Sequence, residues 1–150
     1  MLVQEVMTKD VVTVTPDDSI ERCANLLFEH NISGLPVIDE EGKVAGMVTE
    51  GDLIRRAARI KAPGYLEVLG GLVYLGNPVK FVDELKKAMS LRAGDLMTDK
   101  IIDISADSTV EEAATKMLKH SISRLPVTDW SKKLVGILSR RDIMHSLYNE

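Results

Sequence analysis

The sequence contains the same unit twice, and this repeat constrains the fold more than any other feature. Residues 6–54 align with residues 96–144 at a constant offset of 90, without a gap, and fifteen positions are identical. A repeat of this length is typical of a structural unit that is built twice. Because a unit of about 50 residues buries little surface by itself, we expect the two copies to pack together about a pseudo-twofold axis.

Each copy alternates between short apolar runs and amphipathic segments. The runs Val11–Val14 and Ile101–Ile104 predict short buried strands. Thr15 followed by Pro16 predicts the start of a helix, and apolar residues at helical spacing follow from Ile20. A β-hairpin and a second helix complete each copy. The sequence therefore predicts an α/β (α+β) fold of two β-α-β-β-α units that pack through their sheets.

The repeat also divides the chain. We predict a first unit over residues 1–59, a structured insert over residues 60–94 and a second unit over residues 95–150. The insert is punctuated by glycine and proline, and Val82, Leu85 and Met89 follow a helical period, which predicts a helical insert.

Composition excludes several classes of protein. A net charge of −4 disfavours a nucleic-acid binder, which needs a basic face for the phosphate backbone. The longest apolar stretch, Leu72–Leu75, is far too short to span a bilayer. The single cysteine, Cys23, cannot form an internal disulfide, and the N-terminus has no secretory pattern. We therefore expect a cytoplasmic protein that does not enter a membrane.

A short polar motif closes the hairpin of each copy. It reads Gly-x-x-Thr/Ser-x-x-Asp, with Thr49 and Asp52 in the first copy and Ser139 and Asp142 in the second. A hydroxyl followed three residues later by an acid is a capping box, which is a purely structural interpretation. The same helix N-terminus offers N–H groups and a positive dipole to a phosphate, while the carboxylate can accept ribose hydroxyls. The two interpretations are compatible.

Several motif elements recur in the same order in both copies. Met-Thr, a short strand, a helix, His-x-Ile-Ser-x-Leu-Pro-Val-x-Asp and Gly-x-x-Thr/Ser-x-x-Asp follow one another twice. This pattern resembles a tandem pair of cystathionine-β-synthase-type (CBS) domains, and the resemblance covers about two thirds of the chain. It implies a regulatory module whose two clefts accept an adenosine-type ligand, namely AMP, ADP, ATP or S-adenosylmethionine.

The resemblance also implies roles for individual residues. Asp52 and Asp142 would hold ribose, and Thr49 and Ser139 would lie near ribose or phosphate. Each cleft would take its base pocket from one copy and its acid from the other. The residues implied around the base are Asp10, Val12, Ser33, Gly34 and Pro36 from the first copy, and Lys100, Ile102, Ser123, Arg124 and Pro126 from the second.

The two clefts are not expected to be equal. The second copy has Arg124, Arg140 and Arg141 where the first copy has Gly34, Glu50 and Gly51. Because arginine grips phosphate oxygens in a bidentate fork, we expect the cleft that combines Arg124 with Ser139–Asp142 to prefer charged ligands. Solvated helix charges are the alternative interpretation of Arg140 and Arg141.

The sequence favours a sensor over an enzyme. It shows no nucleophile with a base, no phosphate loop and no spacing for a metal site, so we predict neither catalysis nor a bound metal. Ligand binding would shift the relative orientation of the two copies, as in energy sensing, and signal to an effector protein or through self-association. Because CBS pairs commonly assemble into dimers, the resemblance also implies a homodimer. The alternatives are an interaction scaffold whose clefts bind no nucleotide and, less favoured, a nucleic-acid binder.

Overall fold

The two copies of the repeat form two α/β units. The computed structural model describes residues 1–59, 65–68, 71–74 and 91–149. In chain order the first unit comprises α1 (Val3–Val6), α2 (Ile20–Glu29), β1 (Gly34–Ile38), β2 (Val44–Thr49) and α3 (Glu50–Arg59). The insert contributes β3 (Tyr65–Val68) and β4 (Gly71–Tyr74). The second unit comprises α4 (Ala93–Leu96), β5 (Ile104–Ser105), α5 (Val110–His120), β6 (Arg124–Thr128), β7 (Leu134–Ser139) and α6 (Arg140–Tyr148). The predicted two-unit α/β fold is confirmed.

The insert contains an antiparallel hairpin. In it, Tyr65 pairs with Tyr74 and Val68 pairs with Gly71. The sequence patterns do not predict this hairpin. The predicted helix around residues 82–89 lies outside the described residues. The predicted boundary between residues 94 and 95 falls inside α4, and the division into three segments stays a prediction.

The core of the first unit lies between α2 and one face of the β1–β2 hairpin. Cys23 and Leu27, four residues apart on α2, are buried against Leu35 and Val37 of β1 and Val48 of β2. Their spacing produces this layer, because i and i+4 share a helix face and alternate strand residues share a sheet face. Full burial of one such side chain stabilises the unit by about 1.5–3 kcal/mol.

The second unit repeats this core position by position. Met117 of α5 packs against Leu125 and Val127 of β6 and Leu138 of β7. Each of these residues lies 90 positions after its counterpart in the first unit, so the apolar pattern and the packing repeat together. Ala113 takes the place of Cys23, and both side chains are fully buried. Cys23 therefore has the packing role of a small apolar residue.

The first strands are shorter than predicted. In the run Val11–Val14 only Val14 reaches the sheet, where its N–H donates to the Pro36 carbonyl at 3.1 Å. In Ile101–Ile104 only Ile104 joins β5, which is parallel to β6. The earlier residues of both runs belong to no strand, and among them Val12 and Ile102 border clefts.

The start of α2 also differs from the prediction. Thr15 to Asp18 form a turn, in which the Thr15 N–H donates to the Asp18 carboxylate at 2.8 Å. The N-cap is Ser19, whose hydroxyl accepts from the Arg22 N–H at 3.1 Å. The second copy uses the same position, Thr109, in a full capping box with Glu112. Thr15 has a capping side chain, but its backbone belongs to the turn and the N-cap of the helix lies four residues later.

The short helices α1 and α4 are exchanged between the units. The Val3 N–H donates to the Ser108 carbonyl, and Val3 is fully buried in the core of the second unit. Reciprocally, the Ala93 N–H donates to the Asp18 carbonyl, and Ala93 is buried in the core of the first unit. This exchange ties each unit to the start of the other.

Reciprocal contacts also join the sheets. Thr8 forms a bridge with Ile137 of β7, and Thr98 forms the equivalent bridge with Met47 of β2. The hairpin tips meet as well, since the Leu134 N–H donates to the Gly42 carbonyl at 3.1 Å. These paired contacts follow the pseudo-twofold relation that the repeat predicts. No helix in the described ranges is both long and apolar enough to cross a bilayer.

Candidate functional site

Two clefts open where the units meet, and each draws residues from both copies. The Asp52 cleft has a volume of about 420 Å³ and is lined by Ser33, Met47, Thr49, Glu50, Gly51, Asp52, Arg55, Thr98, Lys100, Ile102, Ser121, Ile122, Ser123, Arg124 and Pro126. The Asp142 cleft has a volume of about 540 Å³ and is lined by Thr8, Asp10, Val11, Val12, Asn31, Ile32, Ser33, Gly34, Glu50, Ser123, Arg124, Ile137, Ser139, Arg140, Arg141 and Asp142. Volumes in this range suit a ligand of nucleotide size.

In the Asp52 cleft, the carboxylate of Asp52 is held at the first turn of α3. One oxygen, Oδ2, accepts from the Thr49 N–H at 2.8 Å, while the Asp52 N–H donates to Thr49 Oγ1 at 3.3 Å. The other oxygen, Oδ1, pairs with Arg55 Nη2 at 2.5 Å. Both oxygens of this acid therefore already have protein partners.

In the Asp142 cleft, the equivalent acid is only half engaged. Asp142 Oδ2 accepts from the Ser139 N–H at 2.8 Å and from Ser139 Oγ at 2.9 Å. Within the described residues, Oδ1 accepts no hydrogen bond, because His145 stands where the first copy has Arg55 and makes no such contact. This carboxylate can accept hydroxyl groups of a ligand without displacing a side chain.

Arg124 lies between the two clefts. It projects from β6 of the second unit, and its guanidinium donates to the Ser33 hydroxyl of the first unit. A Cβ atom on Gly34 would lie 2.7 Å from Arg124 Nη1, so the absence of a side chain at Gly34 makes room for the arginine. Burial lowers the pKa of Arg124, and the nearby Glu50 carboxylate opposes that shift. An arginine stays protonated in spite of such a shift, so Arg124 places a partly desolvated cation between the two clefts.

The structure brings the two predicted residue sets into two clefts in the predicted crossed arrangement. Val12 and Gly34 share one cleft with Ser139 and Asp142, and the reciprocal residues line the other cleft. Pro36 is the exception, because its side chain is fully buried inside β1 and borders neither cleft. That these residues contact a ligand stays a prediction.

The arginines are arranged differently from the expectation. Arg140 and Arg141 line only the Asp142 cleft, but Arg124 lines both. The Asp52 cleft has its own cations in Arg55 and Lys100. A preference of the Asp142 cleft for charged ligands therefore cannot rest on Arg124.

Several cleft residues do not follow from the sequence reasoning. Glu50 lines both clefts, whereas the sequence comparison indicates only that it stands opposite Arg140 of the second copy. Arg55 reaches the Asp52 cleft because one helical turn separates it from the acid. The spacing of Asp52 and Arg55 on one helix face could have indicated that ion pair. The backbone crossing that places Thr8 and Thr98 at the clefts has no local signal.

Nothing in the described ranges resembles a metal centre, since no three His, Cys, Asp or Glu side chains are placed to hold an ion. The two clefts offer a ligand two helix N-termini with carboxylates, apolar residues of the first runs, and a central guanidinium.

Comparison with known proteins identifies the family behind this geometry. The family model described as "CBS domain" matches twice, over residues 3–59 and 93–149. The chain belongs to the CBS domain family. The two matches have the same 90-residue offset as the internal repeat, so the chain contains a CBS pair.

Relatives of this CBS pair are both small proteins and parts of enzymes. The uncharacterised protein MJ1426 of Methanocaldococcus jannaschii is 32% identical over 98% of this chain and 91% of its own length. The inosine-5'-monophosphate dehydrogenase of the same organism is 31% identical over 93% of this chain, but the match spans only 22% of the enzyme. CBS pairs therefore occur within enzymes as well as in small proteins.

Solved structures share the fold. The CBS domain pair of protein MJ0100, in complex with 5'-methylthioadenosine and S-adenosyl-L-methionine, is 27% identical with a TM-score of 0.75, over 97% of this chain and 94% of that one. CBSX2 of Arabidopsis thaliana, in complex with AMP, gives the same values. These neighbours bind adenosyl ligands.

Proposed function

We propose that this CBS pair is a regulatory module that binds an adenosine nucleotide or S-adenosylmethionine in its clefts. The observation that carries the proposal is the crossed construction of each cleft, in which the first run of one unit faces the capped helix N-terminus of the other. A ligand that spans such a cleft contacts both units at once. Its binding free energy then depends on how the units are oriented, which is the requirement for a conformational signal.

The chemistry of the Asp142 cleft suits a nucleoside. Asp142 Oδ1 can accept a ribose hydroxyl, and Val12 offers an apolar surface to a base. Arg140 and Arg141 supply cations at the N-terminus of α6, where the helix macrodipole also favours an anion. The proposal is further supported by two structural neighbours that bind AMP, or 5'-methylthioadenosine and S-adenosyl-L-methionine.

We propose a regulatory role in the cytoplasm rather than catalysis. The sequence offers no nucleophile with a base, and in the related inosine-5'-monophosphate dehydrogenase the similar region is only 22% of the enzyme's length. The signal would pass to an effector protein or to a second copy of the chain.

Apolar side chains at equivalent positions support a homodimer. Ile54 on α3 and Met144 on α6 are 66% and 58% exposed. Phe28 and Leu118, also separated by the repeat offset, are still more exposed. Exposed apolar groups on matching helices suit a symmetric interface. Light scattering should give twice the mass of 16.6 kDa, and replacement of Ile54 and Met144 by Glu should return the monomer mass. A monomer at every concentration would contradict the dimer.

A thermal-shift series tests the binding proposal. The ligands are adenosine, AMP, ADP, ATP and S-adenosylmethionine, each added to the native chain and to the variants Asp52→Ala and Asp142→Ala. A ligand present at about 100 times its Kd stabilises the folded state by about 2.7 kcal/mol, so the unfolding midpoint should rise measurably. The rise should shrink in the variant that removes the acid of an occupied cleft.

The scaffold alternative gives a different result. If the clefts bind no nucleotide, none of the five ligands shifts the midpoint, and the proposed function is rejected. Guanosine monophosphate is the matched control, since it carries the same ribose and phosphate on a different base. An equal shift with GMP and AMP would contradict a site that selects adenine.

A further inference from the structure

The two clefts share one wall, and among the described residues that line both clefts a single one, Arg124, has a guanidinium. Ser33, Glu50, Ser123 and Arg124 each line both clefts. By the repeat, a second arginine would belong at position 34, but Gly34 stands there. A phosphate that enters from either side therefore meets the same cation.

The wall has room for one such cation in its present form. A Cβ atom at Gly34 would lie 2.7 Å from Arg124 Nη1 and 2.9 Å from its Cδ, so the side chain of Arg124 occupies the space that the symmetric residue would need. The other arginines of the described clefts do not replace it, because Arg140 and Arg141 line only the Asp142 cleft and Arg55 lines only the Asp52 cleft.

Arg124 is also poised to bind an anion. No carboxylate in the described part of the chain lies within ion-pair distance of it, and its contact across the units is to a neutral hydroxyl, that of Ser33. A partly desolvated guanidinium gains more from a phosphate than an exposed one does, because the medium screens the pair less. The first phosphate that binds pairs with the guanidinium of Arg124. A second phosphate then meets an arginine whose charge is already neutralised, and it is repelled by the anion bound there.

Resting on the proposed function, we infer that Arg124 serves as one phosphate-binding residue for both clefts, so that phosphorylated ligands in the two clefts antagonise each other. Adenosine, which has no phosphate, binds the two clefts independently. Arg124 thereby makes the response to a second ligand depend on its phosphate.

Isothermal titration with AMP and with adenosine tests this inference. Asp52→Ala and Asp142→Ala each leave one intact cleft and give the single-cleft Kd values for both ligands. In the native chain, the second AMP should bind at least about fivefold more weakly than its single-cleft value, which is the lower end of ordinary coupling between sites. The second adenosine should bind with its single-cleft Kd.

Variants at the shared wall assign the effect. Arg124→Gln should lower AMP affinity in both clefts by more than it lowers adenosine affinity, and it should remove the antagonism between two AMP molecules. Arg124→Gly combined with Gly34→Arg moves the guanidinium to the symmetric position and should restore the antagonism. Thermal unfolding of each variant shows that it is folded.

The outcomes separate the two proposals. If adenosine and AMP both fail to bind, this inference is overturned, and the proposed function falls with it only if ADP, ATP and S-adenosylmethionine also fail to bind. If both ligands bind but the two AMP sites are independent, only the inference is overturned. It is also overturned if antagonism persists in Arg124→Gln, because repulsion between the ligands alone would then explain it.

Discussion

The two units have the same apolar core but differ along the polar surfaces that face the clefts. Leu35, Val37 and Val48 of the first unit and their counterparts 90 residues later are all completely buried. At the shared wall, by contrast, glycine in one copy corresponds to arginine in the other, and Glu50 corresponds to Arg140. The core requirement is the same in both units because each packs one helix against one hairpin. The residues at these cleft positions are free to differ because they lie outside the two cores.

The difference continues away from the clefts. In the second unit Asp103 accepts a hydrogen bond from Thr128 Oγ1 at 2.7 Å and forms an ion pair with Lys132 Nζ at 3.2 Å. The first unit has Thr13 and Ile38 at the positions of Asp103 and Thr128, so it lacks this network. The second unit also has a true first strand, β5, where the first has only a bridge at Val14. The copies have therefore reached the same fold with different polar support.

The largest expected effect concerns Gly46 and Gly136, which lie where the backbone of one unit passes over a strand of the other. A Cβ atom at Gly46 would lie 2.7 Å from the Thr98 carbonyl oxygen, which is backbone and cannot easily move. At Gly136 the closest atom is Met7 Sδ at the end of a flexible side chain, while the Thr8 carbonyl oxygen is 3.1 Å away. We expect Gly46→Ala to cost about 3 kcal/mol of unfolding free energy and Gly136→Ala about 1 kcal/mol.

Urea unfolding of the two variants measures this difference. Equal costs would mean that the two crossings are equally tight, contrary to the distances. The matched control is Gly42→Ala, because a Cβ there contacts nothing within 4 Å and only the positive φ of 80° is strained.

The second prediction concerns the exchanged helices. Val3 fills the core of the second unit, whereas Ala93 fills the equivalent place in the first. Val3→Ala would make the two sites alike and remove two buried methyl groups, so we expect a loss of about 2 kcal/mol in unfolding free energy. Chemical denaturation provides the measurement, with the exposed Gln4→Ala as control. A loss no larger than that of Gln4→Ala would show that α1 does not support the second unit.

Much of each unit could be predicted from local patterns, and the failures have physical reasons. The spacing of Cys23 and Leu27 predicts the buried face of α2, because helix periodicity depends only on nearby residues. The N-cap is harder, since Thr15 and Ser19 both have capping chemistry and only the turn at Thr15–Asp18 decides between them. A four-residue helix such as α1 shows no periodicity, so its exchange between units has no local signal.

The clefts show the same division between local and long-range information. The motif around Asp52 and Asp142 predicts the helix N-termini, because a capping box is formed by neighbours in sequence. The position of Arg124 between the clefts depends on where β6 lies relative to Ser33, 91 residues away. A contact of that separation follows from the tertiary arrangement alone.

The third prediction tests the polar support of the second unit by pH. Burial alone raises the pKa of Asp103, but hydrogen bonds from Thr128 and Lys132 outweigh it and hold that pKa below its ordinary value of 3.8. A carboxyl with a lowered pKa in the folded state stabilises the fold above its unfolded pKa and loses that contribution as pH falls through the folded pKa. Asp103→Asn should therefore cost about 1 kcal/mol at neutral pH, and the cost should shrink below about pH 4.

Unfolding free energies at several pH values measure this trend. The exposed Asp107→Asn serves as the control for loss of a negative charge in the same unit. A cost for Asp103→Asn that is constant from neutral to acidic pH would mean that its carboxylate contributes nothing through ionisation.

The smallest expected effect compares the two cleft acids directly. Arg55 occupies Asp52 Oδ1, but its side chain is 65% exposed, so the pair is worth only about 0.2–1 kcal/mol. A ribose that binds Asp52 must displace this arginine, whereas one that binds Asp142 displaces nothing. Arg55→Ala should therefore strengthen adenosine binding in the Asp52 cleft by about 1.5- to 5-fold, as measured by titration in an Asp142→Ala background. His145→Ala, the same change at the equivalent position, should leave adenosine binding in the Asp142 cleft unchanged when measured in an Asp52→Ala background. Weaker adenosine binding in Arg55→Ala would instead show that Arg55 itself contacts the nucleoside, and the two acids would then be distinguished by their partners rather than by their availability.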